Sequence, residues 1–254
     1  INFKFISKMI FPNKKIIFLL PPKCGTSSFE KYVRENISLL NGGVDLNYKK
    51  RHTYLSQEIK KVDGDIQNFK IYQLCRNPID RLVSSYYFIQ KIIQGQKLRT
   101  PHKRNPLKNI RPKNIFQNYT FEEILNIILP DINSFLMSQE FISKMKNKNL
   151  NLPVLPVHIK NPYAVLKSYA WFYLPQTQWN NLNLDVTYIK LEDLAKDCTI
   201  LSEIFQENLP NQFPHKNISN NTNSLDYFNK HTLNLVKNSY KEDYELCNYA
   251  FPNK

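Results

Sequence analysis

Short apolar runs alternate along the chain with stretches in which apolar residues recur at helical spacing. Ile16-Ile17-Phe18-Leu19-Leu20 contains no polar side chain, and Lys70-Ile71-Tyr72-Gln73-Leu74-Cys75 is nearly as apolar. Runs of this length and β-branched content suit strands buried on both faces of a parallel sheet. Asp185 to Lys190 reads as a third core strand. A helical pattern follows each strand. Beyond Pro21 to Gly25, Thr26 or Ser27 is placed to cap a helix running to about Leu40. Beyond Arg76-Asn77, a helix starts near Pro78, a favourable first-turn residue, and another follows Leu191. Thr120-Phe121-Glu122-Glu123 has capping-box spacing and opens a helix to about Leu129. Residues 134–147 and Leu225 to Asn248 are helical by periodicity. The repeated strand, loop and helix predict an α/β fold: an open parallel sheet flanked by helices, in a single domain spanning 1–254. Ligands of such sheets sit at the carboxyl ends of the strands. Residues 93–119 break the pattern and read as a basic irregular insertion.

Charge narrows the choice of ligand. The 35 basic and 21 acidic side chains leave a formal net charge of +14, which argues for an anionic ligand or polymer. No acidic residue occurs between Arg81 and Phe121. That stretch is either a solvated basic loop or a docking surface for an acidic acceptor. The cysteines, Cys24, Cys75, Cys198 and Cys247, form no CxxC pair, which argues against a zinc site. Cys198 and Cys247 remain open as a disulfide pair, although a reducing compartment is expected. No apolar stretch approaches the roughly 18 residues of a membrane span, and no signal-peptide pattern is present. A bacterial-type cytoplasmic location is therefore expected, or the Golgi lumen if an N-terminal anchor precedes Ile1.

Two constellations carry chemistry. The first is Pro22-Lys23-Cys24-Gly25-Thr26-Ser27-Ser28, set between a strand and a helix. An anion there meets backbone N–H groups and the positive helix end. Gly25 permits close approach or positive φ, the three hydroxyls add donors, and Lys23 adds a point charge. The lysine precedes the glycine, so this is not the GxxxxGK[ST] P-loop. A polar, well-capped turn is the plainer alternative. The second is Arg76-Asn77-Pro78-Ile79-Asp80-Arg81-Leu82-Val83-Ser84-Ser85-Tyr86-Tyr87. Arg76 ends a strand and Ser84 lies two helical turns on; a guanidinium and a helix hydroxyl together can grip a phosphate. The plainer reading pairs Arg81 with Asp80 or another surface neighbour.

Taken together, the two motifs resemble those of the sulfotransferases that use 3′-phosphoadenosine-5′-phosphosulfate (PAPS), especially the carbohydrate (Golgi-type and bacterial) branch. The resemblance implies the P-loop-like sulfotransferase fold and sulfuryl transfer to an acceptor hydroxyl. It implies that Lys23, Gly25, Thr26, Ser27 and Ser28 hold the phosphosulfate, with Cys24 inside the same loop but without a catalytic role. Arg76 and Ser84 would hold the 3′-phosphate. PAPS is then the donor, PAP the product, and no metal is required. Weaker likenesses run through Lys50-Arg51-His52-Thr53, Leu174-Pro175-Gln176-Thr177-Gln178, the Glu192-Asp193-Leu194 strand end, Pro214-His215-Lys216-Asn217-Ile218-Ser219 and Tyr240-Lys241-Glu242-Asp243-Tyr244.

Sulfuryl transfer needs in-line geometry and stabilisation of the leaving oxygen. Lys23 is the natural cation there, although simple donor binding is its competing role. The acceptor hydroxyl needs a base, and histidine suits neutral pH. The resemblance places that base at His52. His215 is the nearest rival and Glu58 the carboxylate alternative. His102 reads as exposed, His158 as structural and His231 as a helix-start residue. A nucleotide kinase would require GK[ST] and an acid for Mg²⁺, yet the strand at 71–75 ends in Arg76. A nucleic-acid-binding module would require stacking aromatics, and residues 91–113 contain none. A non-catalytic polyanion-binding protein on the same fold stays open. The expected acceptor is an anionic or polar saccharide; nucleic acid is not an expected partner, and the oligomeric state is left open.

Overall fold

The computed structural model describes residues 10–37, 54–60, 65–93, 119–134, 138–148, 150, 169–214 and 223–252. The chain forms two compact units that interleave along the sequence. The first comprises Ile1–Asn77, Gln176–Asn220 and Glu242–Ala250; the second comprises Pro78–Pro175, Asn221–Lys241 and Phe251–Lys254. The basic insertion expected at 93–119 falls almost wholly outside the described residues.

The first unit is built on a sheet of β1 (Ile10–Phe11), β2 (Ile16–Leu19), β3 (Lys70–Cys75) and β4 (Thr187–Lys190), paired in that order. β2, β3 and β4 run parallel, whereas β1 is antiparallel to β2. The sheet is thus mostly parallel, as expected, with an added edge strand. β1 went unpredicted because two residues carry no periodicity. It exists because Pro12–Lys14 turn the chain back, with Lys15 at φ 53°.

β2 explains why its sequence is apolar throughout. Ile16 and Phe18 enter the core formed with α1 (Thr26–Asn36) and α7 (Thr199–Phe205). Ile17 and Leu19 enter a second cluster with Leu55 of α2 (Leu55–Ile59) and Ile71. Phe18 stacks on Phe205 at 5.6 Å and on Tyr72 at 5.3 Å. The fully buried Phe18 and Phe205 side chains contribute about 1.5–3 kcal/mol each. β4 passes directly into α6 (Leu191–Lys196). All four cysteines are buried and free, so Cys198 and Cys247 do not pair. Cys198 instead lies against the Pro210 carbonyl at 3.4 Å and the Tyr32 hydroxyl at 3.7 Å.

The second unit contains α3 (Pro78–Ile93), α4 (Phe121–Ile128), α5 (Ser138–Lys146) and α8 (Lys230–Ser239). The capping box at Thr120 forms as expected: Glu123 N donates to Thr120 Oγ1 at 3.2 Å, and Thr120 N donates to Glu123 Oε2 at 2.6 Å. Arg81 overturns its surface reading, since it is fully buried in α3. The single helix expected over Leu225 to Asn248 is divided into a 3₁₀ turn (Ser224–Tyr227), α8 and α9 (Lys241–Leu246). Asn229 makes the first break by capping α8, its Oδ1 accepting from Thr232 N at 2.9 Å. Among the described residues no helix is long and apolar enough to cross a membrane.

Candidate functional site

Parallel pairing places the ends of β2 and β3 side by side, with Leu19 opposite Gln73. The two candidate segments of the first unit, 21–28 and 76–77, both leave that edge. After Pro21-Pro22, Lys23 takes φ 69° and Gly25 takes φ 76°. A left-handed conformation costs a non-glycine residue about 1–2 kcal/mol, so Lys23 stores local strain that the surroundings sustain. Gly25, not Thr26 or Ser27, is the N-cap of α1. A Cβ there would lie 2.4 Å from Leu191 Cδ1. Any larger residue would therefore have to displace the Leu191 side chain, in addition to adopting the positive φ that favours glycine.

The Thr26 hydroxyl donates to the Pro21 carbonyl at 3.3 Å and closes the loop on itself. Thr26 and Ser28 are buried, while Lys23 and Ser27 are half-exposed. Lys23 and Ser27 are thus the loop side chains most open to a ligand. The leading N–H groups of a helix have no intrahelical partner and sit at its positive end, which equips the start of α1 for an anion.

Arg76 follows the last residue of β3, and its Nη1 donates to the Lys23 carbonyl at 3.4 Å. The backbone around it is held by side chains from distant segments. Gln176 Oε1 accepts from Arg76 N at 2.9 Å, and Gln176 Nε2 donates to Arg76 O at 2.7 Å. The same Oε1 accepts from Cys24 Sγ at 3.0 Å. Asn77 N donates to Glu192 Oε1 at 2.9 Å, and the Tyr249 hydroxyl donates to Glu192 Oε2 at 2.6 Å. Gln176 is fixed in turn by Gln73 Nε2, which donates to its carbonyl at 2.7 Å, and by the buried Asp243.

Tyr249 is raised well above the ordinary phenol range by burial, then by Cys75 and Glu192 nearby, so it remains a donor. The Cys247 thiol is likewise pushed up, first by its hydrogen bond with Cys75 and then by burial, and stays protonated. Burial also lifts Tyr188 to about 12.

The structure thus brings together Lys23, Cys24, Gly25, Thr26, Ser27, Ser28 and Arg76. Ser84 lies half-buried on α3 in the second unit. His52, with His102, His158 and His215, lies outside the described residues. Glu58 is buried in α2 of the first unit. His231 is exposed near the start of α8, its Nε2 3.1 Å from Asn126 Oδ1. Gln176, Asp243 and Glu192 had no assigned role in the sequence. Their only signals were the Pro-Gln, Lys-Glu-Asp-Tyr and Glu-Asp-Leu segments that contain them.

A model of the sulfotransferase family matches residues 8–250. The chain belongs to the sulfotransferase family. The match spans both strand ends, the loop at Lys23, Arg76 and Gln176, so the segments that converge in the first unit all fall inside it, as does Ser84 of the second unit. Sulfotransfer is accordingly its general activity. No curated protein and no solved structure matches the chain significantly.

Proposed function

We propose that this sulfotransferase takes its sulfuryl group from PAPS and delivers it to an acceptor hydroxyl on an anionic or polar saccharide. The observation that supports this most is the meeting of two anion-binding segments at one sheet edge, the Lys23–Ser28 loop and Arg76, joined by the Arg76–Lys23 contact. A donor with phosphate at both ends of its ribose matches two such segments. In this reading the loop and the start of α1 hold the 5′-phosphosulfate, and Arg76 with Ser84 holds the 3′-phosphate.

The acceptor oxygen attacks sulfur while the bond from sulfur to the 5′-phosphate oxygen breaks, and PAP departs with that electron pair. Lys23 stabilises the charge growing on the bridging oxygen. His52 accepts the proton of the acceptor hydroxyl. The net charge of +14 favours acidic saccharides by raising their local concentration.

Two measurements test the reading. Calorimetry should detect PAP binding without magnesium and much weaker binding of ATP; tight, magnesium-dependent ATP binding would replace PAPS with an NTP. Labelled sulfate transfer from PAPS to a glycan panel should favour acidic glycans. Binding of PAP without transfer to any acceptor would leave a non-catalytic polyanion binder.

A further inference from the structure

The Gln176 side chain reaches the backbone just past the end of β3. β3 ends at Cys75, which pairs with Lys190, the last residue of β4. Beyond that point Arg76 has no strand beside it to accept its N–H and donate to its C=O. Gln176 supplies both functions from one primary amide, with Arg76 N to Oε1 at 2.9 Å and Nε2 to Arg76 O at 2.7 Å. Pinning the N–H and C=O of one residue fixes the peptide planes on both sides of its Cα. The direction of the Cα–Cβ bond, and with it the origin of the guanidinium, is then set. The amide is itself immobile, because Gln176 is fully buried and its backbone is tied to Asp243 and Gln73.

We propose that Gln176 is a positioning residue for the donor site: its side-chain amide extends the sheet by one residue so that Arg76 is presented to the 3′-phosphate. This rests on the PAPS reading above. Gln176 engages the Arg76 backbone through two amide hydrogen bonds, whereas toward the phosphosulfate loop its Oε1 accepts the weaker bond that the Cys24 thiol donates. The effect of losing the amide therefore falls mainly on recognition of the 3′-phosphate.

The test is Gln176→Met, which keeps the length and removes both amide groups. Binding is measured with PAP and with adenosine 5′-phosphosulfate, which lacks the 3′-phosphate. The expected result is a PAP Kd raised about tenfold, the scale of losing two amide bonds in a buried site, with adenosine 5′-phosphosulfate affinity and the acceptor KM within about twofold of wild type. Asp243→Asn is the second variant. It keeps the side-chain volume but replaces one of the two oxygens that accept from Gln176 N and Thr177 N, and a smaller loss of the same selectivity is expected.

Equal loss for both ligands would mean that Gln176 only maintains the fold, and no loss for PAP would remove its role altogether. Failure of both variants to fold would likewise assign Gln176 to stability and overturn the inference. The donor reading fails separately, if the wild-type chain itself does not prefer PAP to adenosine 5′-phosphosulfate.

Discussion

The Asp243 carboxylate holds the segment that carries Gln176: its Oδ2 accepts from Gln176 N at 2.9 Å, across 67 residues of chain. Its Oδ1 accepts from both Thr177 N and Thr177 Oγ1 at 2.9 Å. Asp243 and Gln176 are both fully buried. Removing the carboxylate would strand two buried N–H groups. Asp243→Ala should therefore destabilise the chain by about 3–5 kcal/mol, read as a lower denaturation midpoint. A change below about 1 kcal/mol would show that water or a neighbour replaces the carboxylate.

Gly25 faces two separate constraints, its φ of 76° and the approach of Leu191. Gly25→Ala should cost about 1–2 kcal/mol from backbone conformation alone, plus the displacement of Leu191. Adding Leu191→Ala relieves the contact but not the backbone. The double variant should thus regain PAP affinity relative to Gly25→Ala while remaining weaker than Leu191→Ala alone. Calorimetric titration of the three variants measures both contributions.

His52 and Lys23 are predicted to separate binding from turnover. His52→Ala should reduce kcat by about 10²–10⁴-fold, the range of general-base catalysis, and leave the PAP Kd unchanged. Lys23→Ala should reduce kcat and also weaken PAP. Unaltered turnover in His52→Ala would pass the base role to Glu58 or His215, each of which can be replaced in turn.

The capping box of α4 carries a pH signature. Hydrogen bonds from the Thr120 backbone N–H, and then from its hydroxyl, hold the Glu123 carboxyl below its ordinary range. A depressed carboxylate stabilises the fold above its unfolded pKa, and that stability fades as pH falls through the folded value. Glu123→Gln should accordingly flatten the acid limb of the Tm-against-pH curve with little change at low pH. Thr120→Ala should cost about 1 kcal/mol at neutral pH.

The four thiols are free and buried, and burial with the Cys75 contact keeps the Cys247 thiol protonated. A thiol-specific reagent at neutral pH should label none of them rapidly in the native chain and all four after denaturation. Fast native labelling of one cysteine would place it in a solvent-open state.

Much of this was legible locally. Ile16–Leu19 and Lys70–Cys75 announced strands because burial on both faces leaves no room for polar side chains. Pro78 and the Thr120–Glu123 box announced helix starts because the groups that satisfy a first turn lie within a few residues of each other. The anion-binding character of residues 23–28 and of Arg76 was visible for the same reason: lysine, glycine, hydroxyls and guanidinium carry their chemistry in their own side chains.

Only the tertiary structure decided the rest. It buried Arg81, for which a surface pairing with Asp80 was the plainer alternative in the sequence. It made Gly25 the cap of α1, in a left-handed conformation and with the Leu191 side chain close beside it. It also selected one amide, Gln176, to hold Arg76 across 100 residues and Cys24 across 152. Periodicity reports which face of an element is apolar. A hydrogen bond between distant segments depends on where both ends come to rest, and that is set only when the sheet has assembled.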